Sequence, residues 1–150
     1  RVNIRGLLPA GIVVVQSPGN DIWESDNSNN RQLVVGLEGD DILDAGAGAD
    51  VVWGNDGADH LEGGHNGDWL IGGPGNDTLF GQEGNDRIWG GWGLDVLNGA
   101  DGDDELISID MDPDVDEITC GLGTDRVVKR AIDVIMDPVD CEQVIVVRLR

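Results

Sequence analysis

Between Gly36 and Ile107 the chain repeats itself every nine residues without a break, as GLEGDDILD, AGAGADVVW, GNDGADHLE, GGHNGDWLI, GGPGNDTLF, GQEGNDRIW, GGWGLDVLN and GADGDDELI. A unit this short cannot bury an apolar face alone, so a tandem array of such units must stack into a solenoid. The sixth position is Asp in every unit: Asp41, Asp50, Asp59, Asp68, Asp77, Asp86, Asp95 and Asp104. The eighth is always aliphatic: Leu43, Val52, Leu61, Leu70, Leu79, Ile88, Leu97 and Leu106. The fourth is Gly in seven units and Asn66 in the other, and Asn is the residue after Gly best able to take a left-handed conformation. Each unit therefore reads as a six-residue turn followed by a three-residue strand.

In such a strand the seventh and ninth side chains share one face and the eighth points to the other. The aliphatic eighth position defines an interior. With two units per coil, successive strands alternate between two sheets, and the inward residues fill the space between them. The outward positions differ between the sheets. One carries Trp53, Ile71, Trp89 and Ile107 at the ninth position beside Val51 and Trp69 at the seventh, while the other carries Asp44, Glu62, Phe80 and Asn98 beside Ile42, His60, Thr78 and Val96.

The formal charge is -21, from 30 acidic against 9 basic residues in 150. A folded body with that imbalance repels itself unless something cationic is bound, which makes nucleic acid and anionic membranes poor partners. Acidity with few aromatics often signals disorder, but here the hydrophobic residues recur in register. No apolar run approaches the roughly 20 residues that span a bilayer, so membrane insertion is not expected. The chain begins at Arg1, which leaves open a removed leader or a start inside a longer precursor. Catalysis is not expected either: His60 and His65 are the only histidines, one on an outward strand position and one in a loop, and no nucleophile elbow, phosphate loop or HExxH accompanies them.

The array resembles the hemolysin-type, or RTX, calcium-binding repeat family, whose nonapeptide is G-G-x-G-x-D-x-U-x. The resemblance covers residues 36–107 and implies an all-β fold, a parallel β-roll or two-sheet β-solenoid with irregular N- and C-terminal caps, in a secreted bacterial protein. It implies a metal-binding set made of the first-position glycines Gly36, Gly54, Gly63, Gly72, Gly81, Gly90 and Gly99, the second-position Gly46, the fourth-position Gly39, Gly48, Gly57, Asn66, Gly75, Gly84, Gly93 and Gly102, and the eight sixth-position Asp residues. Calcium takes six to eight oxygens, including carboxylates and backbone carbonyls. One turn cannot supply them, and the resemblance implies that turns two units apart, stacked on the same edge, sandwich each ion. Asp41, Asp59, Asp77 and Asp95 would line one edge and Asp50, Asp68, Asp86 and Asp104 the other, with three gaps in each row and about six ions in all. Further oxygens at Glu38, Asp40, Asp56, Asn66, Asn76, Glu83, Asn85, Asp101 and Asp103 could reach ions or face water, and the solvated reading is favoured.

Residues 1–35 read as an N-terminal cap, with short strands in RVNIRGLL and GIVVV. The segment then continues through a degenerate unit, SPGNDIWE, and a polar loop that brings Val34 into phase. Residues 108–150 resume the frame after a three-residue insertion, with Asp116 and Asp125 at the sixth position, though Pro113 and Asp114 replace loop glycines and leave calcium there open. The closing segment resembles secreted RTX arrays in which two cysteines bracket the last turns, implying a disulfide between Cys120 and Cys141. Many RTX toxins lack cysteine, which puts the family's usual one-step secretion route in question here.

Extracellular calcium modules bind in about the 10⁻⁴–10⁻³ M range, so such sites stay empty in a cytoplasm and fill outside. The expectation is a chain that folds on meeting extracellular calcium and serves as a structural, adhesive or self-assembling module. The alternative is the export-and-folding module of a larger secreted enzyme or toxin. Val51, Trp53, Trp69, Ile71, Trp89 and Ile107 form the expected interface, toward another copy of the chain or a cell-surface partner, unless a terminal segment of the same chain covers them.

Overall fold

A computed structural model describes residues 17–25, 29–137 and 140–148. The strands form two parallel sheets, and no described residue is helical. The eight-stranded sheet contains, in spatial order, β1 (Ser17–Pro18), β3 (Leu33–Glu38), β5 (Val51–Asp56), β7 (Trp69–Pro74), β9 (Arg87–Trp92), β11 (Glu105–Ser108), β13 (Arg126–Arg130) and β15 (Gln143–Val147). The seven-stranded sheet contains β2 (Ile22–Glu24), β4 (Ile42–Asp44), β6 (His60–His65), β8 (Thr78–Glu83), β10 (Val96–Asp101), β12 (Glu117–Leu122) and β14 (Val134–Ile135). The chain crosses from one sheet to the other at every turn, which makes the molecule a β-roll. The order follows from the sequence period: Leu70 lies beside Val52 and Ile88 in one sheet, Leu61 beside Leu43 and Leu79 in the other.

The eighth-position residues are the core. Leu43, Val52, Leu61, Leu70, Leu79, Ile88, Leu97 and Leu106 are fully buried, and Trp23, Val34, Ile118 and Val127 continue the column at both ends. Each such burial contributes about 1.5–3 kcal/mol. The core is thin, one aliphatic residue from each strand of the array, so stability accumulates coil by coil rather than in a central mass.

The strands are longer than the expected three residues. Pairing resumes beyond the first position of the next unit, as in Leu37 with Asn55, Gly64 with Gln82 and Gly73 with Gly91. The first-position residue points inward, as the alternation requires, and the second turns the chain around the edge with a positive φ. Leu37, Asn55, Gln82 and Ala100 do this at φ 72–89° without being Gly. Asn66 takes the expected left-handed conformation at the fourth position, φ 80°.

The insertion before Asp116 widens the register from eighteen residues to twenty-one, so that Asn98 pairs with Thr119 and Leu106 with Val127. Two rungs follow that the repeat did not announce. Strand β14 pairs with β12, and β15, which contains the apolar run VIVV, pairs with β13. SPGNDIWE is a coil of the roll, with Trp23 beside Leu43. The strands expected in RVNIRGLL and GIVVV lie outside the described residues. Cys120 and Cys141 form a disulfide with Cα atoms 5.5 Å apart.

Candidate metal centre

The turns stack into two edges, and the sixth-position carboxylates run down each as a buried row. One edge holds Asp41, Asp59, Asp77, Asp95 and Asp116; the other holds Asp50, Asp68, Asp86, Asp104 and Asp125. The Asp N–H of each coil donates to Oδ1 of the Asp in the next coil. Asp41 donates to Asp59, Asp59 to Asp77 and Asp77 to Asp95 on one edge, Asp50 to Asp68, Asp68 to Asp86 and Asp86 to Asp104 on the other, all at 2.7–2.9 Å. The array is thus threaded by carboxylates held in one orientation.

That orientation leaves the second oxygen buried and unpaired. Oδ2 of Asp41, Asp50, Asp59, Asp68, Asp77, Asp86, Asp95, Asp104 and Asp125 has no hydrogen-bond partner. Buried anionic oxygens are costly unless a cation or donor meets them. In most coils the space a Cβ would fill at the first-position glycine is occupied from both sides. At Gly54, Oδ2 of Asp59 enters it, and the carbonyl oxygen of Gly72 stands 2.8 Å from where the Cβ would be; at Gly36, Gly63, Gly72 and Gly81 the corresponding Asp and next-coil glycine carbonyl do the same. Glycine is needed there because those oxygens take the volume. Ala45 is the exception among the first positions of the array, and its methyl is buried.

The electrostatics agree. Burial pushes the carboxyls of Asp68 and Asp77 up to about 8, Asp95 and Asp104 to about 7, and Asp50, Asp59 and Asp86 to about 6, only partly offset by the N–H that each accepts. Asp68 and Asp77 stand in mid-row, where carboxylates of the coils on both sides, Asp50 and Asp86 or Asp59 and Asp95, raise them further. Hard carboxylate and carbonyl oxygens converging in a buried row of uncompensated charge make a donor set for a hard divalent cation.

The family model of the RTX calcium-binding nonapeptide repeat, four copies long, matches twice in tandem, at residues 35–70 and 71–106. This stretch is an RTX calcium-binding repeat array. No curated protein and no solved structure matches the chain. In the RTX array the sixth-position Asp, the first-position Gly and the carbonyl of the next coil are the groups that would hold calcium, which supplies the positive charge the edges lack.

The fifth-position groups have a role the sequence did not suggest. Asp40 Oδ1 accepts the N–H of Ala58, Asn76 that of Leu94, Asn85 that of Asp103 and Asp103 that of Thr124, at 2.9–3.1 Å. These exposed side chains stitch one coil to the next beside the buried row. The RTX rows also end differently. Asp125 keeps an unpaired buried Oδ2, and the carbonyl of Cys120 replaces the missing glycine carbonyl beside Asp104. Asp116 is satisfied by the chain itself, because the Ser108 hydroxyl stands between its Oδ2 and that of Asp133. Beside it the buried Arg130 guanidinium meets Asp110 at 2.8 Å and Asp112 and Asp133 at 3.5 Å. Here a protein cation stands where the RTX array would use an ion.

The expected interface residues all face outward on the eight-stranded sheet, with Trp53, Trp69 and Trp89 exposed and Val51, Ile71 and Ile107 half-buried. His60 lies 2.9 Å from Glu62 and tilts against Phe80 on the other sheet, and His65 lies 2.9 Å from Glu83. Cys120, Cys141 and Asp137 cluster, but the disulfide consumes both thiols, and Asp137 instead accepts the N–H of Cys120 at 3.0 Å.

Proposed function

We propose that this chain is a secreted, non-enzymatic β-roll that folds on binding extracellular calcium and then serves as a rigid structural or adhesive module. The observation that carries the reading is the double row of buried Oδ2 atoms without partners, a feature that is costly in the metal-free state and resolved by cations. Seven gaps between stacked carboxylates qualify: Asp41/Asp59, Asp59/Asp77 and Asp77/Asp95 on one edge, and Asp50/Asp68, Asp68/Asp86, Asp86/Asp104 and Asp104/Asp125 on the other. That is one more than the repeat count alone suggests, because Asp125 extends its row. Ion binding becomes folding free energy. At a calcium concentration tenfold above a site's Kd, each site adds about 1.4 kcal/mol, so several weak sites together match the stability of an ordinary domain.

The adhesive role rests on the apolar outer face of the eight-stranded sheet. The test of folding is far-UV circular dichroism with light scattering, in chelator and in millimolar calcium. At pH 8 a compact β-rich species only in calcium is expected; a spectrum unchanged by chelation at that pH would refute the reading.

A further inference from the structure

The eight-stranded sheet carries a groove that the cation rows do not use. Its ninth-position residues align across neighbouring strands, Trp53 beside Ile71 and Ile71 beside Trp89. Trp53 and Trp89 are 45% and 47% exposed. Next to this ladder the second-position residues of β7 and β9 are Gly73 and Gly91, paired with each other, so no side chain fills the sheet surface there. Beyond them Pro74 and Trp92, also paired, raise the opposite wall, with Trp92 63% exposed. The result is an open groove of about 440 Å³ with indoles on both sides and glycine as its floor. Ile109 and Asp110 complete its lining. Asp110 is buried against Arg130 at 2.8 Å, so its carboxylate is turned away from solvent.

We propose that this groove binds a neutral, linear β-linked glycan, which names a partner class for the adhesive reading above and rests on it. Trp53 and Trp89 lie two strand spacings apart, ~9.6 Å, about the advance of two pyranose rings along an extended β-linked chain. Alternate sugars can thus lay their apolar faces on successive indoles, and the half-buried Ile71 lets the intervening ring pass. The lining is almost wholly apolar, which suits the C–H faces of sugar rings, as is usual for such grooves.

Charge selects against the competing occupants. The chain carries -21, and seven divalent ions would leave it acidic, so an anionic polymer or a second copy meets net repulsion.

The test uses the full chain in millimolar calcium, with folding first verified by circular dichroism. A β-1,4-linked glucose hexasaccharide is titrated against it by calorimetry and tryptophan fluorescence. Saturable binding is expected, weakened about tenfold or more by Trp89→Ala and by Trp92→Ala. Leu122→Ala, an exposed change on the other sheet, should leave it unchanged. Absence of binding by the folded protein overturns the proposal and leaves the calcium reading standing. Equal binding of an α-linked glucose hexasaccharide overturns it too, because the spacing would then select nothing. Concentration-dependent self-association abolished by Trp89→Ala assigns the face to a second copy instead. A chain that stays unfolded in calcium defeats both readings at once.

Discussion

Removing calcium should make the roll more stable in mild acid than in mild base, the reverse of what an ion-loaded roll shows. The carboxyls of Asp68, Asp77, Asp95 and Asp104 are raised from 3.8 to about 7 or 8 in the folded, metal-free state. A folded pKa above the unfolded value means that the folded state holds the proton more tightly, so stability is greatest below the unfolded value and is lost as pH rises through the folded one. Between pH 6 and pH 7 these four groups hold protons that the unfolded chain has already released. Four protons at 1.36 kcal/mol per pH unit amount to about 5 kcal/mol lost per unit, against a typical domain stability of about 5–15 kcal/mol. Asp50, Asp59 and Asp86, raised to about 6, add to the loss at the acid end of the window. The assay is a series of thermal melts followed by circular dichroism, on calcium-stripped protein in metal-free buffers from pH 5 to pH 8. The melting temperature should fall steeply across the series and vanish at its upper end. With calcium present the carboxylates are held ionised, protons compete with the ion, and acid should destabilise. A stripped protein whose melting temperature is flat or rises with pH would refute the account of the buried rows.

Asp77→Asn keeps an oxygen to accept the N–H of Asp59 but deletes the charge. It should raise the melting temperature without calcium at pH 6 by several degrees and lower apparent calcium affinity in a titration, opposite signs from one substitution. Gly75→Ala places a Cβ on a backbone with φ +144° and against the carbonyl of Gly57. The left-handed conformation alone costs about 1–2 kcal/mol, so denaturant melts in calcium should show at least that loss. Reducing the Cys120–Cys141 bond, which spans 21 residues, should cost about 3 kcal/mol in the same melts, and a smaller change in midpoint would mean that the last coils are held by their other contacts.

The invariant Asp and aliphatic positions made the roll, its two sheets, its core and its carboxylate edges legible, since each follows from a period of nine and an alternation of two. What escaped the sequence lies where geometry comes from stacking rather than residue type. The left-handed second position is invisible when Leu37, Asn55, Gln82 and Ala100 adopt it. The final rungs escaped because Glu142 replaces Asp as acceptor of the Asp125 N–H and the spacing shrinks to seventeen. Asp133 likewise receives the Asp116 N–H, at 3.4 Å, without any glycine loop to announce it. Arg130 could not be read as a substitute cation, because Asp110, Asp112 and Asp133 meet it only once the last coils are folded. Only the Ser108 hydroxyl beside Asp116 and the carboxylates around Arg130 show why that end of the row needs no ion.

The cation rows and the groove depend on adjacent glycines. Gly72 and Gly90 yield their side-chain volume to carboxylate oxygens on the inside, while Gly73 and Gly91, one residue on, leave the floor of the groove bare on the outside. Strand pairing of Gly73 with Gly91 brings Trp89 level with Ile71 and Trp92 level with Pro74, so the walls exist only when these coils are stacked. Stacking in turn brings Asp77 and Asp95 together, two of the most strongly raised carboxyls in the array. An ion that relieves that pair therefore also holds the two rungs that form the groove. Binding at the outer face should accordingly depend on calcium even though no groove residue faces an ion. Measured as hexasaccharide affinity against calcium concentration, the dependence should follow the folding transition; an affinity that persists in the calcium-free, unfolded chain would show that the indoles act singly and that the groove is not the binding element.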